Sequence, residues 1–282
     1  LNFIWQLDNE KKNIAPHMPC PFSPDSVLFS TGAISGLDLL LRTFAEEKQD
    51  SIILTPPTFI EFKHFADIYS LNKIFINLEG ENFTRLALDK IINSKAKILL
   101  LCDPSNPVST RISHEDIHQV CQYFKGLIII DETYIEFSSH PSSFSLINKY
   151  SNLIILRSFS KSFAMAGLRV GAIIADPTAI ESLKRVQPPF NIPTPIIEIL
   201  EEELTNPISI LDGIAKIEQE RLRMTQALTN LSCIEKVYPS ETNFLLVKFK
   251  NFITLKEKIT SAGIKVLWNP DNLENSARIT LG

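Results

Sequence analysis

The segment Arg157-Ser-Phe-Ser-Lys-Ser-Phe-Ala-Met-Ala-Gly-Leu-Arg-Val-Gly171 separates two apolar runs, at residues 152–156 and 172–175. Both runs have the composition of buried strands. Between them stands Lys161, the only lysine of the segment. A lysine among apolar side chains has its charged form disfavoured, so its pKa falls and its amine can form a Schiff base with a carbonyl cofactor or substrate. The alternative interpretation is an ordinary surface lysine on a loop.

The polar residues around this lysine suit an anion. Ser158, Ser160 and Arg169 offer two hydroxyls and a guanidinium, which are typical phosphate ligands. Earlier in the chain, Gly32 permits a tight turn before an amphipathic helix. The N-terminus of that helix presents free backbone N–H groups and is a second place where an anion could bind.

Short apolar runs alternate with helical patterns along the first two thirds of the chain. The predicted strands are residues 27–30, 51–55, 73–78, 96–102 and 127–131, and the predicted helices include residues 59–69, 113–124 and 177–186. Ser113 is predicted to cap its helix, with Asp116 completing a capping box. Near-continuous apolar strands between helices indicate an α/β fold with a mostly parallel sheet covered on both faces.

Three of these strands are followed by polar side chains: Asn106 after one, Asp131 and Tyr134 after another, and Lys161 after a third. Ligands of parallel sheets bind beyond the carboxyl ends of the strands. The sequence therefore predicts that these side chains share one site at that edge of the sheet.

The pattern changes near residue 190. Residues 187–195 are dense in proline, and we predict an irregular link there. Beyond the link, predicted helices at residues 208–231 and 255–262 accompany predicted strands at residues 243–249 and 265–268. We predict a large domain at residues 27–190 and a smaller α+β domain at residues 191–282. Residues 1–26, interrupted by prolines, form an N-terminal segment, and both ends of the chain are expected to be incomplete.

The composition of the chain argues against several classes of protein. The chain has 282 residues, of which 44% are hydrophobic, and this is enough for a large core. Its formal net charge of −4 argues against a nucleic-acid partner, and no apolar run is long enough to span a membrane. The four cysteines and five histidines show no metal-ligand spacing. We therefore expect buried thiols, no metal and a cytoplasmic location.

The pattern Ser-x-Ser-Lys-x-Phe-x-x-Ala-Gly-Leu-Arg-x-Gly at residues 158–171 resembles the cofactor-lysine segment of the fold-type I aminotransferases that depend on pyridoxal 5'-phosphate (PLP). It is most similar to that of the histidinol-phosphate aminotransferases. The resemblance extends from about Val27 to Gly282. It implies a fold-type I architecture, with a smaller C-terminal α+β domain, and PLP as the cofactor.

The resemblance also implies roles for individual residues. Lys161 would form the Schiff base and then move protons, and Asp131 would pair with the ring nitrogen. Asp131 lies in Asp-Glu-Thr-Tyr, where the family has Asp-Glu-Ala-Tyr. Tyr134 and Asn106 would bind the phenolic oxygen of the ring. Taken alone, Asp131 could cap a turn and Asn106 could belong to a simple Asn-Pro turn.

The remaining implied roles concern the cofactor phosphate, the ring face and the substrate. Phe59 would stack on the ring, although a lone aromatic residue is more often part of a core. Arg278 would bind the carboxylate or phosphate of the substrate. Asn243 would line the substrate site, with a strand-start asparagine as a near-equal alternative. The implied phosphate ligands are Ser158, Ser160, Arg169 and the backbone N–H groups of Ala33 and Ile34.

Two departures from the family bear on the substrate and on the partner. Leu267-Trp268 stands where a second anion-binding arginine is usual, and the family's N-terminal arm is not recognisable in residues 1–26. The implied reaction is transamination between L-histidinol phosphate and 2-oxoglutarate in histidine biosynthesis, by a homodimer. The alternatives are an aromatic amino acid aminotransferase, an enzyme similar to threonine-phosphate decarboxylase, and a non-catalytic protein of the PLP fold.

Overall fold

Two β-sheets are found in the part of the chain that the structure describes, and the larger one positions most of the candidate site. The computed structural model describes residues 23–282, so most of the N-terminal segment predicted at residues 1–26 lies outside the described residues. Within the described part, the larger sheet contains β1 (Val27–Ser30), β2 (Ser51–Leu54), β3 (Asn72–Phe75), β4 (Ile98–Cys102), β5 (Leu127–Asp131), β6 (Leu153–Ser158) and β7 (Gly171–Ile174). Their order is β1-β7-β6-β5-β4-β2-β3.

Most pairs in this sheet are parallel. Strand β2 pairs in parallel with β3 and β4, β4 with β5, and β5 with β6, whereas β7 is antiparallel to both β6 and β1. The helices that accompany the sheet are α1 (Ala33–Phe44), α2 (Ile60–Ile68), α3 (Leu88–Ile92), α4 (His114–Tyr123) and α5 (Pro177–Val186). The prediction of a mostly parallel α/β sheet is confirmed.

Alternate residues of the central strands belong to two different cores. In β4, Leu99 and Leu101 pack in one hydrophobic cluster, while Ile98 and Leu100 pack in the other. Successive side chains of a strand point to opposite faces, so a strand covered on both faces must be apolar at every position. This double burial explains the continuous apolar runs of the sequence.

A smaller antiparallel sheet follows in the C-terminal part. It contains β8 (Ile234–Val237), β9 (Phe244–Phe249), β10 (Leu267–Trp268) and β11 (Ser276–Thr280), in the order β10-β11-β9-β8. Helices α6 (Thr194–Thr205), α7 (Ile208–Thr229) and α8 (Phe252–Ser261) accompany it in the chain. In the sequence, all strands of the larger sheet precede residue 190 and all strands of the smaller sheet follow it. A domain boundary at that position stays a prediction.

Two local predictions were wrong. Ser113 stands at the N-cap position of α4 as predicted, but its side chain makes no capping hydrogen bond. Asp116 is fully buried and accepts hydrogen bonds from Arg85 Nε at 2.9 Å and from the Leu86 N–H at 2.8 Å. A buried carboxylate needs several donors, and here the guanidinium and the amide take the place of the capping box.

The second correction concerns the proline-dense passage at residues 187–195. Its last two residues, Thr194 and Pro195, belong to α6. Proline fits the first turn of a helix, because the N–H group that it lacks would have no partner there. Among residues 23–282, no helix has the length and apolarity that crossing a membrane requires.

Candidate active site

A cavity of about 320 Å³ opens at the carboxyl ends of β4, β5 and β6. It brings together all but one of the residues that the sequence marked as site candidates; those lining it are Ala33, Ile34, Phe59, Asn106, Asp131, Tyr134, Ser158, Ser160, Lys161, Arg169 and Arg278. Asn243 does not line this cavity. Its backbone carbonyl instead accepts a hydrogen bond from Leu281 N–H at 2.8 Å, and its proposed contact with substrate stays a prediction.

Cys102, Thr133 and Ala166 also line the cavity, and sequence reasoning missed them. Cys102 is the last residue of β4, and Thr133 stands between Asp131 and Tyr134. Their places at the end of a strand and beside two candidate residues were signals that could have identified them. Ala166 carried no comparable signal, because its side chain has no functional group.

Lys161 lies in the loop that follows β6 and is only partly shielded from solvent. Partial burial of its ammonium lowers the pKa of Lys161, and the positive charges of Arg278 and Arg169 lower it further, while Asp131 opposes them. The apolar surroundings expected from the sequence are therefore only part of the cause. Repulsion from two guanidinium groups also favours the neutral amine, which is the nucleophilic form.

Asp131 ends β5 and is almost completely buried. Burial raises the pKa of Asp131 to about 6, while hydrogen bonds from Thr133 and the charge of Lys161 act in the opposite direction. Burial also raises the pKa of the neighbouring Tyr134 phenol, and it raises the pKa of the Cys102 thiol well above its usual value. The inner wall of the cavity is thus a poorly solvated environment, and Asp131 is the one carboxylate that the described part of the chain contributes to it.

Arg278 reaches the cavity from β11 of the smaller sheet. Its Nη1 donates to Asn106 Oδ1 at 2.7 Å, and its guanidinium lies 4.9 Å from the centroid of the Phe244 ring. Its Nε is buried and has no hydrogen-bond partner among residues 23–282. A partly buried guanidinium with an unused donor is suited to bind an anion that enters the cavity.

The opposite end of the cavity forms an anion cup. Helix α1 begins after Gly32, which has φ 85° and, as the N-cap residue, has no side chain to cap the helix. A Cβ on Gly32 would lie 2.6 Å from Arg169 Nη2, so only glycine lets the guanidinium approach the helix N-terminus. Ser160 Oγ lies 3.5 Å from Arg169 Nη1. Free amides, a guanidinium and hydroxyls converge here, as a phosphate requires.

A buried ionic network behind the cavity was not anticipated from the sequence. Arg157 is 2% exposed; its Nη1 lies 2.7 Å from Glu136 Oε1, and its Nε lies 3.1 Å from Glu132 Oε2. The other oxygen of Glu136 accepts a hydrogen bond from Ser162 Oγ at 2.8 Å. Because Glu132 follows Asp131 in the chain and Ser162 follows Lys161, the network joins the two segments that carry the titratable groups of the cavity. Charged residues inside otherwise apolar segments were its only sequence signal.

An amine of lowered pKa and a buried carboxylate share a cavity with an anion cup, at the carboxyl edge of a mostly parallel sheet. This combination defines a PLP-dependent enzyme of fold type I. The chain belongs to the family "Aminotransferase class I and II", whose sequence profile matches residues 6–282. It is therefore an aminotransferase that uses PLP.

Within this family, the chain is similar to several histidinol-phosphate aminotransferases. The chain is 34% identical over 270 residues to the histidinol-phosphate aminotransferase of Xylella fastidiosa, covering 92% of this chain and 74% of that protein. It is 33% identical over 265 residues to histidinol-phosphate aminotransferase 1 of Legionella pneumophila, covering 92% and 73%. The crystal structure of the histidinol-phosphate aminotransferase from Clostridium acetobutylicum superposes with a TM-score of 0.83 at 24% identity, covering 99% of this chain and 83% of that one, and this likeness concerns the fold.

Proposed function

We propose that this chain transfers an amino group between L-histidinol phosphate and 2-oxoglutarate, giving imidazole-acetol phosphate and glutamate, in histidine biosynthesis. One observation carries this proposal: Lys161 shares a single cavity with two separate guanidinium groups, Arg169 and Arg278. Arg169 belongs to the anion cup, and Arg278 enters from the smaller sheet. A site with two cationic ends suits a phosphorylated cofactor and a second, anionic molecule.

The residues of the cavity fit PLP. The cup at the start of α1 would hold its phosphate through the N–H groups of Ala33 and Ile34, with Ser158, Ser160 and Arg169. Asp131 would accept a hydrogen bond from the protonated ring nitrogen, and Phe59 would stack on the ring. Asn106 and Tyr134 would donate hydrogen bonds to its phenolic oxygen. When bound, PLP supplies a carbonyl that accepts an amine and a ring that withdraws electrons.

Lys161 would have two roles. Its neutral amine would hold the cofactor covalently between turnovers, because the lowered pKa increases the fraction of nucleophile at neutral pH. After the substrate amine takes its place, the free Nζ of Lys161 would act as general base and remove the proton from the substrate Cα. It would then act as general acid and return a proton, which completes the 1,3-proton shift. Asp131 would hold the ring nitrogen protonated throughout and so favour the loss of the Cα proton.

Arg278 would bind the substrate anion. Its buried Nε has no protein partner within the described residues, and an incoming phosphate or carboxylate would provide one. The same guanidinium would bind the phosphate of histidinol phosphate and a carboxylate of 2-oxoglutarate, in successive half-reactions. Asn243 stays a weaker candidate for substrate contact, since only its backbone is seen to be engaged.

One observation favours a second candidate function. Leu267 stands where the family has a second anion-binding arginine, and it is 47% exposed. A site with a single substrate arginine would suit an aromatic amino acid, or a phosphorylated amino acid as in threonine-phosphate decarboxylase. A non-catalytic PLP-fold protein is the least supported alternative, because the lysine, the carboxylate and the arginines all share one cavity.

We also propose a homodimer, a cytoplasmic location and a boundary between two domains at residues 190–191. Exposed apolar side chains support a subunit contact, among them Phe190 at 96%, Ile60 at 47% and Phe29 at 41% exposure. Cys102, Cys121 and Cys233 are free thiols, as in proteins of a reducing compartment. Two separate sheets support the domain boundary.

A direct assay tests the function. The purified protein loaded with PLP is offered histidinol phosphate, phenylalanine and phosphothreonine, each with 2-oxoglutarate, and glutamate, imidazole-acetol phosphate and carbon dioxide are measured. We expect the highest kcat/KM for histidinol phosphate. Preference for phenylalanine, or release of carbon dioxide from phosphothreonine, would replace the proposal with the corresponding alternative.

A further inference from the structure

The carboxylate of Asp131 is held asymmetrically by one neighbouring residue. Thr133 Oγ1 donates to Asp131 Oδ1 at 2.5 Å, and the Thr133 N–H donates to the same oxygen at 3.0 Å. No hydrogen bond to Oδ2 is found among residues 23–282. Both residues line the cavity. One oxygen is thus fixed by the protein, and the other is left to a ligand.

This arrangement restricts both the orientation and the charge of Asp131. A carboxylate that accepts two hydrogen bonds on one oxygen cannot rotate without losing both of them. A hydroxyl that donates to a carboxylate also favours its ionised form over the acid. The backbone N–H would remain with any residue at position 133, but the hydroxyl is specific to threonine and serine. Alanine, which stands there in the family's segment, could not provide it.

We propose that Thr133 is a positioning residue for the amino-transfer reaction: its hydroxyl keeps Asp131 ionised and turns the free oxygen toward the ring nitrogen of the cofactor. This inference rests on the proposed function for the role of the ring nitrogen. The contact between Thr133 and Asp131 does not depend on it.

The other groups around Asp131 do not replace this hydroxyl. Burial raises the pKa of Asp131 to about 6, and the hydrogen bonds of Thr133 are the largest opposing influence, ahead of the charge of Lys161. Cys102 on β4 and Tyr134 are the other titratable groups that interact with it. Both are held neutral by raised pKa values and provide no positive charge. Without the hydroxyl, Lys161 would be the one positively charged group among these residues that lowers the pKa of Asp131 against the effect of burial.

The test is a carboxyl titration by ¹³C NMR of cofactor-free protein labelled at aspartate Cγ, with the Asp131 signal assigned from its loss in Asp131→Asn. We expect a midpoint near pH 6 in the wild type. In Thr133→Val, which keeps the shape and loses the hydroxyl, the midpoint should rise by roughly one pH unit or more, because a charge-assisted hydrogen bond is lost. Thr133→Ser should restore the wild-type midpoint, and Thr133→Ala is the second variant if valine disturbs folding.

The chain contains a matched control. Thr178 Oγ1 donates to Asp176 Oδ1 at 2.5 Å, and its N–H donates to the same oxygen at 2.9 Å, at an exposed helix start. Thr178→Val removes the same kind of contact away from the cavity and should leave the Asp131 midpoint unchanged. An unchanged midpoint in both Thr133→Val and Thr133→Ala would overturn the proposal.

A second readout connects the contact to the cofactor. The dissociation constant of PLP is measured by absorbance from pH 5.5 to pH 8 in the wild type, Thr133→Val and Thr133→Ser. We expect binding by Thr133→Val to weaken on acidification at a higher pH than binding by the other two. An identical pH dependence in all three would overturn the link between Thr133 and the ring. If the wild type binds PLP with the expected dependence but transfers no amino group, the proposed reaction fails while the role of Thr133 at the ring stands.

Discussion

Arg278, in β11 of the smaller sheet, is hydrogen-bonded to Asn106, in the loop that follows β4 of the larger sheet; Arg278 Nη1 lies 2.7 Å from Asn106 Oδ1. A guanidinium only donates, so this contact fixes the orientation of the Asn106 amide: its oxygen faces the arginine, and its NH₂ group is left to donate. An NH₂ donor is what an ionised phenolic oxygen of a cofactor ring needs. The contact therefore makes the candidate substrate anchor and the candidate ring ligand depend on each other.

The first prediction concerns this anchor. Arg278→Ala should lower kcat/KM for histidinol phosphate by roughly a hundredfold or more, because loss of one buried charge-assisted contact costs roughly 2–5 kcal/mol. The half-reaction with 2-oxoglutarate should weaken as well, since its carboxylate meets the same group. Single-turnover kinetics of the two half-reactions measure this. Arg221→Ala is the control, because Arg221 donates to the backbone carbonyls of Phe137 and Thr242 and does not line the cavity.

Covalent attachment of the cofactor should depend on Lys161. Reduction with borohydride should fix PLP on this residue, where mass spectrometry of the digested protein would locate it, and Lys161→Ala should retain no reducible cofactor and lose activity. Lys184→Ala, at a lysine in the last turn of α5, is the control and should behave as wild type. PLP fixed on another lysine, together with an active Lys161→Ala, would contradict the assignment.

The raised pKa of Asp131 predicts a pH-dependent stability of the cofactor-free protein. Burial raises this pKa from 3.8 to about 6, so the folded chain binds the proton more tightly than the unfolded chain. The stabilisation from this group is complete below about pH 4 and is lost as the pH rises through about 6. By this linkage, Asp131→Asn should be the more stable protein at pH 7, by up to roughly 3 kcal/mol, and should lose this advantage near pH 4.

Urea unfolding at several pH values measures this difference. Asp212→Asn, at a carboxylate whose side chain is 61% exposed, serves as the comparison and should show no such trend. The same Asp131→Asn substitution should reduce amino transfer by at least roughly a hundredfold with PLP still bound, because the ring nitrogen loses its charged partner. Near-normal turnover in Asp131→Asn would refute the catalytic role.

Particular residues show which parts of the fold and of the candidate site the sequence predicts. The buried strands and the positions of Asp131 and Lys161 at their ends follow from local apolar runs and from motif spacing, which a single chain displays directly. Asp116 shows where this reasoning fails: as a capping partner it fits the local pattern, but its donors, Arg85 and Leu86, come from about thirty residues earlier in the chain. A buried charge can be suspected from its apolar surroundings in the sequence, but its long-range partners cannot be identified there.

The network around Arg157 was missed for the same reason. Its two carboxylate partners lie more than twenty residues earlier in the chain, and only the pairing of β5 with β6 brings them together. Strand order and register are set by the whole core, so they could not be read from any one segment.

This network predicts a large loss of stability when it is broken on one side. Arg157→Met should lower the free energy of unfolding by roughly 3–5 kcal/mol, because the carboxylates of Glu132 and Glu136 would stay buried without their cation. Denaturant unfolding monitored by circular dichroism measures it. Arg185→Met is the matched control: Arg185 pairs with Glu181 at 3.8 Å, with side chains 77% and 59% exposed, and its loss should cost at most about 1 kcal/mol. Equal costs for the two variants would show that the buried network contributes no more than a surface pair.

The last prediction concerns substrate choice and rests on the register of the smaller sheet. Leu267 lies directly opposite Arg278 in the antiparallel pair of β10 and β11. Directly opposite residues have side chains on the same face of a sheet, so residue 267 is beside the arginine that lines the cavity. Trp268 lies on the other face and packs against Phe249 and Phe252, at centroid distances of 6.1 and 5.6 Å. The structure therefore singles out position 267 for the missing second cation.

Leu267→Arg should raise kcat/KM for histidinol phosphate by roughly tenfold or more, since a dianionic phosphate gains a second charge-assisted contact worth about 1.5–3 kcal/mol. The rate with phenylalanine should not rise, because that substrate offers no phosphate to the added guanidinium. Ile264→Arg adds the same charge at an exposed position outside β10 and should change neither rate. Steady-state kinetics of the three proteins with both substrates decide the question. If the wild type ignores histidinol phosphate and turns over phenylalanine, and Leu267→Arg alters nothing, the assignment to histidine biosynthesis fails and the aromatic aminotransferase replaces it.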